Sequence, residues 1–130
     1  TGPKAMSKAG IRHDDIDLTM IYDSFTYTVM LTLESLGFCG RGEAADFVAN
    51  QRTAPGGDFP LNTAGGGLSY THPGMYGSFL LVEAVRQLRG EAGARQVHKK
   101  GTTDQNPQIS LVNGTGGSLS STGTVVLGTG

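Results

Sequence analysis

The chain predicts an α/β fold. Two segments place apolar residues at helical spacing: Phe25, Val29, Leu33 and Leu36 in one, Leu81, Ala84, Val85 and Leu88 in the other. Around them lie strand signals. Ile16, Leu18 and Met20 alternate with Asp15, Asp17 and Thr19, and two β-prone stretches near the C-terminus flank a glycine run. A sheet of about four or five strands is expected to carry the helices.

Taken in order, residues 3–9 read as a short helix stopped by Gly10. Residues 16–20 read as a half-buried strand that delivers Tyr22 and Asp23 to its C-terminal end, where open α/β sheets place ligands. Asp23 or Ser24 is expected to cap the helix over 24–36, which Gly37 ends. A shorter helix follows over 43–48. Pro55, Gly56, Gly57 and Pro60 make 51–61 a loop. The long helix over 75–88 closes at Arg89 and Gly90, and the polar stretch 91–108 reads as an exposed, mobile connection. The strands over 109–113 and 119–127 then form a hairpin around a glycine loop at 114–117.

With 130 residues the chain is one domain's worth, short of a usual two-domain enzyme. A net charge of −1 from 10 basic and 11 acidic residues gives no field for nucleic acid. No apolar run approaches the roughly 20 residues of a membrane span and no signal-peptide core is present, so a cytoplasmic location is expected. A lone cysteine excludes an internal disulfide and a cysteine-rich zinc site, and no metal site is expected. Cys39 reads as a small, buried apolar residue, the alternative being a reactive thiol. Glycine stands at 21 of 130 residues against an average of about 7%; the residues cluster without a triplet period, which marks tight loops and not collagen or disorder.

The most informative stretch runs from Thr63 to Gly74, where Gly65, Gly66 and Gly67 lead to His72 and Pro73. The glycines permit positive φ and clear the space a ligand would need. Pro73 suits the first position of the helix that follows, which would put His72 at the positive end of its dipole, where a neutral imidazole is favoured and can act as a base. The alternative is a histidine that caps and packs. The run Gly114-Thr115-Gly116-Gly117 is no dinucleotide fingerprint, because a strand and not a helix follows it. It is either a tight turn or a pocket wall whose N–H groups face a developing oxyanion. Gly67-Leu68-Ser69-Tyr70-Thr71 misses the serine-hydrolase elbow, which needs glycine at the Thr71 position.

Three of these stretches, in this order, resemble the thiolase superfamily. Gly65 to Pro73 is similar to its Gly-Gly-x-x-x-x-Gly-His-Pro segment, Tyr22-Asp23-Ser24-Phe25 to its Asn-Glu-Ala-Phe, and Val112 to Gly116 to its Cys-x-Gly-x-Gly loop. The likeness covers nearly the whole chain and is greatest to sterol-carrier-type thiolases and thiolase-like lipid-transfer proteins, often labelled acetyl-CoA acetyltransferases. It implies a three-layer α/β thiolase-like half-domain with a mixed sheet and helices on both faces: residues 1–130 as the C-terminal domain of a longer protein of lipid metabolism. An N-terminal half would supply the nucleophilic cysteine, and the whole would work as a dimer.

The resemblance also implies a site. His72 and Tyr22 are the expected catalytic residues, and Gly65, Gly66, Gly114, Gly116 and Gly117 the expected substrate-binding ones. The substrate would be an acyl-CoA thioester, with no further cofactor; Arg95, His98, Lys99 and Lys100 are candidates to grip a CoA phosphate. Three departures shape the chemistry. Tyr22 stands for asparagine, Thr71 for the glycine before histidine, and Val112 for the second cysteine, so valine moves no proton there while a phenol can. The expected activity of the whole protein is acyl transfer of the acetyl-CoA acetyltransferase kind, with no turnover by the isolated domain. The alternatives are a thiolase-like aldolase of steroid side-chain degradation, working with a zinc-ribbon/OB-fold partner, and a non-catalytic lipid or acyl-CoA carrier.

Overall fold

A computed structural model describes residues 1–130. The elements are α1 (Gly2–Ala9), β1 (Leu18–Ile21), α2 (Thr26–Leu36), α3 (Ala44–Val48), α4 (Gly66–Ser69), α5 (Tyr76–Leu88), β2 (Ile109–Gly116) and β3 (Ser121–Gly128). β1 and β2 run parallel, with Leu18 opposite Ser110 and Ile21 opposite Asn113, and β3 returns antiparallel along β2. The sheet is therefore mixed, in the order β1-β2-β3.

The expected four or five strands reduce to three plus one bridge. Leu61 pairs with Thr19 on the free edge of β1, where the Thr19 N–H donates to the Pro60 carbonyl at 3.0 Å and the Asn62 N–H to the Thr19 carbonyl at 3.1 Å. Pro60 has no N–H of its own, and turns fill the preceding residues, so the pairing cannot extend into a strand. This bridge corrects the half-buried reading of β1. With neighbours on both edges and helices on both faces, all four of its residues are buried, and so is Asp17 just before it.

Side-chain alternation along the strands feeds two cores. Leu18, Met20 and Val112 point to α5 and pack with Tyr76, Leu80, Ala84 and Leu88. Ile21 and Leu111 point the other way, into Met6 of α1 and Leu33 and Leu36 of α2, with Phe47 and Val48 of α3 at the margin. The three layers are thus α1, α2 and α3, then the sheet, then α5. Leu18, Leu33 and Leu111 are at most 1% exposed, and burial of each such side chain contributes about 1.5–3 kcal/mol over leaving it in water.

Two helix readings need correction. α2 starts at Thr26, with neither Asp23 nor Ser24 capping it, and Phe25 is 71% exposed; the buried face is Thr28, Thr32, Leu33 and Leu36. α5 starts at Tyr76 and not at Pro73, because the Tyr76 N–H closes a turn on the Pro73 carbonyl at 3.2 Å before the helix begins. The 91–108 connection is also better anchored than its polarity suggests. Asp17 Oδ1 accepts from the Lys100 N–H at 2.9 Å, and its Oδ2 accepts from the N–H groups of Gln108 and Ile109 at 2.7 and 3.1 Å. Fully buried Gln87 donates to the Arg95 carbonyl at 2.7 Å and accepts from the Val97 N–H at 2.9 Å.

Cys39 is half-buried beside the α1–α2 core. Its burial, then Glu34 and Glu43, hold the thiol above its ordinary range, so it stays protonated and packs.

Candidate active site

The site begins where β1 ends. Asn62 clamps that end: its Oδ1 accepts from the Ile21 N–H at 2.9 Å and its Nδ2 donates to the Ile21 carbonyl at 2.8 Å. The glycine segment after Asn62 is thereby held against Tyr22 and Asp23. Asp23, 5% exposed, turns inward to accept from the Gly67 N–H at 2.6 Å and the Leu68 N–H at 3.2 Å, the first turn of α4. The carboxylate thus anchors the glycine turn and not α2, since free N–H groups at a helix start are the stronger partners for an anion. Gly66 sits under it with φ +72°, and a Cβ there would collide with both Asp23 oxygens.

The turn carries His72 to Tyr22. The phenol oxygen of Tyr22 lies 3.4 Å from His72 Nδ1 and 3.5 Å from Nε2, and the rings stack at 5.8 Å with 26° between their planes. Either nitrogen is one small side-chain rotation from a hydrogen bond with the phenol. His72 is exposed and Tyr22 half-buried, so one end of the pair faces solvent and the other the core. His72 stands three residues ahead of Met75, the N-cap of α5, so α5 does not place its dipole on the imidazole in the way the sequence suggested.

From Tyr22 a run of aromatic rings continues through buried Tyr76 to exposed Tyr70. Tyr76 lies 5.5 Å from Tyr22, Phe79 5.6 Å from Tyr76, and Tyr70 5.9 Å from Phe79. The rings of Tyr70, Tyr76 and Phe79 wall a cleft of about 260 Å³ that Met20, Asn62, Gly66, Glu83, Arg86 and Arg95 also line. Tyr76 is 3% exposed. Its burial, and next the nearby Asp23 carboxylate, push its phenol up to about 12, so it remains a neutral donor throughout the physiological range. Glu83 is buried beneath the cleft. Burial disfavours its charge, but hydrogen bonds from Arg95, Thr63 and Gln87 together outweigh burial and hold its carboxyl below the usual range.

The expected site residues divide. Tyr22, His72 and Gly66 come together. Gly65, φ +97°, serves as the N-cap of α4 and lines a neighbouring cavity with Arg95. Gly114 is joined to the site through the sheet, since the Tyr22 N–H donates to the Asn113 carbonyl at 3.0 Å, and it lies against Gly77 of α5. The reading of 114–117 as a loop is corrected: β2 runs through Gly116, with Gly114 paired to Gly123 and Gly116 to Ser121, because Thr122 and Thr124 extend the antiparallel ladder. Gly116 and Gly117 therefore lie at the hairpin tip, beyond the cleft. Val112 is buried against α5.

Arg95 also parts from His98, Lys99 and Lys100. The three line a different cavity, with Asp17 at the opposite end of β1; there Lys99 donates to Gln108 at 2.7 Å and Lys100 lies 3.9 Å from Asp14. Asn62, Asp23, Tyr76 and Glu83 were not read as site residues from the sequence. The signals were present, in Asn62 immediately before the glycine segment and in the i, i+3 aromatic pair Tyr76 and Phe79, but each equally suits a packed core.

Residues 1–129 match the family model described as thiolase C-terminal domain-like. The chain belongs to this family. Among curated relatives, the domain is 44% identical over 91 residues to the 17-hydroxy-3-oxo-4-pregnene-20-carboxyl-CoA lyase of Mycobacterium tuberculosis, covering 68% of the chain and 22% of the lyase. Human sterol carrier protein 2 is 40% identical over 95 residues, 72% of the chain and 17% of the carrier protein. The acetyl-CoA acetyltransferase of Methanothermobacter thermautotrophicus is 40% identical over 94 residues, 72% of the chain and 24% of that enzyme. In three dimensions the thiolase-type domain is similar to a chain of the Ltp2-ChsH2(DUF35) aldolase, with TM-score 0.73 and 36% identity, over 98% of this chain and 30% of that one. The chain thus spans about a fifth of the length of the curated relatives it matches. No helix is long and apolar enough to cross a membrane, and no group of three or more His, Cys, Asp or Glu is placed to hold a metal ion.

Proposed function

We propose that this domain forms one wall of the active site of a thiolase-like C–C lyase, which cleaves a β-hydroxyacyl-CoA thioester in the aldolase sense. The observation that carries the reading is the Tyr22 phenol 3.4 Å from the His72 imidazole, combined with Val112 buried where the resemblance calls for an acid/base cysteine. Cleavage of this kind needs a group to take the β-hydroxyl proton and another to steady the enolate. His72 and Tyr22 act together as the base. As the proton leaves, the β-carbon becomes a carbonyl and the Cα–Cβ electron pair passes into the thioester enolate; the neutral Tyr76 phenol donates a hydrogen bond at the cleft, and the proton returns to Cα. The similarity to lyase and aldolase chains supports the same reading.

The remaining expectations join this proposal. The domain would work with an N-terminal thiolase half, within a dimer, in the cytoplasm, and with an acyl-CoA substrate and no other cofactor. A zinc-ribbon/OB-fold partner would complete the assembly. A second reading, thiolytic acyl transfer, is supported by the similarity to an acetyl-CoA acetyltransferase and by the His72 segment.

The test uses the full-length protein. It is expected to release a carbonyl product from a β-hydroxyacyl-CoA and to leave acetoacetyl-CoA plus CoA unreacted. Tyr22→Phe and His72→Ala are each expected to lower kcat by about 10²–10⁴-fold. Thiolysis of acetoacetyl-CoA without β-hydroxyacyl cleavage would establish the second reading instead, and full activity in Tyr22→Phe would remove the Tyr22 assignment.

A further inference from the structure

The cleft beside the Tyr22–His72 pair carries a charge that the C–C cleavage does not use. Its walls are the rings of Tyr70, Tyr76 and Phe79 and the aliphatic groups of Met20, Leu80 and Val82, and its charged residues are Glu83, Arg86 and Arg95. Glu83 and Arg95 cancel. Arg95 Nη2 meets Glu83 Oε2 at 2.9 Å and Arg95 Nε meets Oε1 at 3.3 Å, while Thr63 and Gln87 donate to the same Oε1 at 2.8 and 3.1 Å. Arg86, one turn beyond Val82 on α5, is in no ion pair or side-chain hydrogen bond. Arg95 is fixed in place by its pairing yet remains 44% exposed, with donors left over. The cleft is thus an aromatic-walled space of mixed polar and apolar surface, with two guanidiniums among its lining residues.

We propose that this is an acyl-group subsite that takes an apolar, ring-bearing or branched acyl group ending in a single carboxylate, with Arg86 as the residue that reads the anion and Arg95 as its fixed neighbour. The inference rests on the thioester-cleaving reading of the site and names the substrate class for it. A volume of about 260 Å³ suits part of a ligand, below the roughly 300–1,000 Å³ of whole-ligand pockets. Arg86 is the one lining cation without a side-chain partner, which suits a single anionic group better than the several charges of the CoA phosphates. A guanidinium pairs with a carboxylate through charge-assisted, bidentate hydrogen bonds, which suits Arg86 to a terminal carboxylate.

The experiment measures binding and not turnover, so that it stands apart from the cleavage reading. Unreactive thioether analogues of two acyl-CoAs of equal length, one ending in methyl and one in carboxylate, are titrated into the full-length protein by calorimetry, for the wild type and Arg86→Gln. The wild type is expected to bind the carboxylated analogue about tenfold more tightly, about 1.4 kcal/mol. In Arg86→Gln that ratio is expected to fall below about twofold, through loss on the carboxylated arm. Equal binding of the two analogues by the wild type would overturn the proposal. So would equal weakening of both analogues by Arg86→Gln, which would point to the CoA phosphates or to a structural role. Failure of the cleavage reading would show separately, as intact binding ratios in a protein that cleaves no β-hydroxyacyl-CoA.

Discussion

At the scale of single residues, the site hangs on Asp23 and Gly66. The carboxylate reaches two α4 N–H groups only because Gly66 presents no side chain and adopts φ +72°. Gly66→Ala is expected to destabilise the chain by about 1–3 kcal/mol, since it adds a positive-φ penalty to a collision with Asp23. Thermal melting checks this, and a melting temperature equal to wild type would show that the turn rearranges freely. Asp23→Asn should act in the same direction, because an amide keeps one acceptor oxygen but puts donors opposite a backbone N–H.

At the scale of elements, α5 is tied to the 92–97 segment by Glu83, Gln87 and Arg95. This tie should depend on pH with a definite sign. The Glu83 carboxyl is lowered in the folded chain from an ordinary 4.5, so its contribution to stability is complete above about pH 4.5 and is lost as pH falls through the lower folded value. Tyr76 behaves oppositely at the alkaline end. Its phenol is raised from 10.0 to about 12, so the neutral form's contribution is complete below pH 10 and is lost between there and pH 12. Denaturant titrations at a series of pH values should show both limbs, with Glu83→Gln flattening the acidic limb and Tyr76→Phe the alkaline one. An unaltered acidic limb in Glu83→Gln would mean that another carboxylate dominates it.

For the whole molecule, surface and partner are linked. The chain exposes 7401 Å², against roughly 6500 Å² for a folded monomer of its mass. Phe25, Tyr27, Met75 and Val82 are each more than half exposed, and Leu81 and Val125 more than a third. Met75, Leu81 and Val125 line one shallow groove between α5 and β3. An open apolar surface of this kind is expected to find a cover. Sedimentation of the 130-residue chain should show self-association that Leu81→Glu with Val82→Glu reduces, and the chain by itself should turn over no acyl-CoA. A strictly monomeric wild-type chain would refute the first expectation, and turnover by it the second.

Local signals were enough for the class of this fold. Helical spacing in 24–36 and 75–88, the glycine stop at Gly37 and the β-branched C-terminal stretch all act over a few residues, so the α/β class could be read directly, while the mixed sheet with helices on both faces came with the thiolase resemblance. The ordered motifs likewise pointed to the thiolase family. Other features depend on which distant segments meet. The burial of both faces of β1 needed α5 on one and α1 and α2 on the other. Asp23 became the anchor of α4 because the glycine turn brought the Gly67 and Leu68 N–H groups to its carboxylate. Gly114 and Gly116 joined a strand because β3 supplied pairing partners for the glycine run. The Tyr22–His72 approach closes a gap of 50 residues, and Glu83, Arg86 and Arg95 share a cleft only after the 92–97 segment folds back on α5. A sequence states each side chain's chemistry and local preference; the pairing of charges and the closing of a cleft are properties of chain return, which only the packed structure decides.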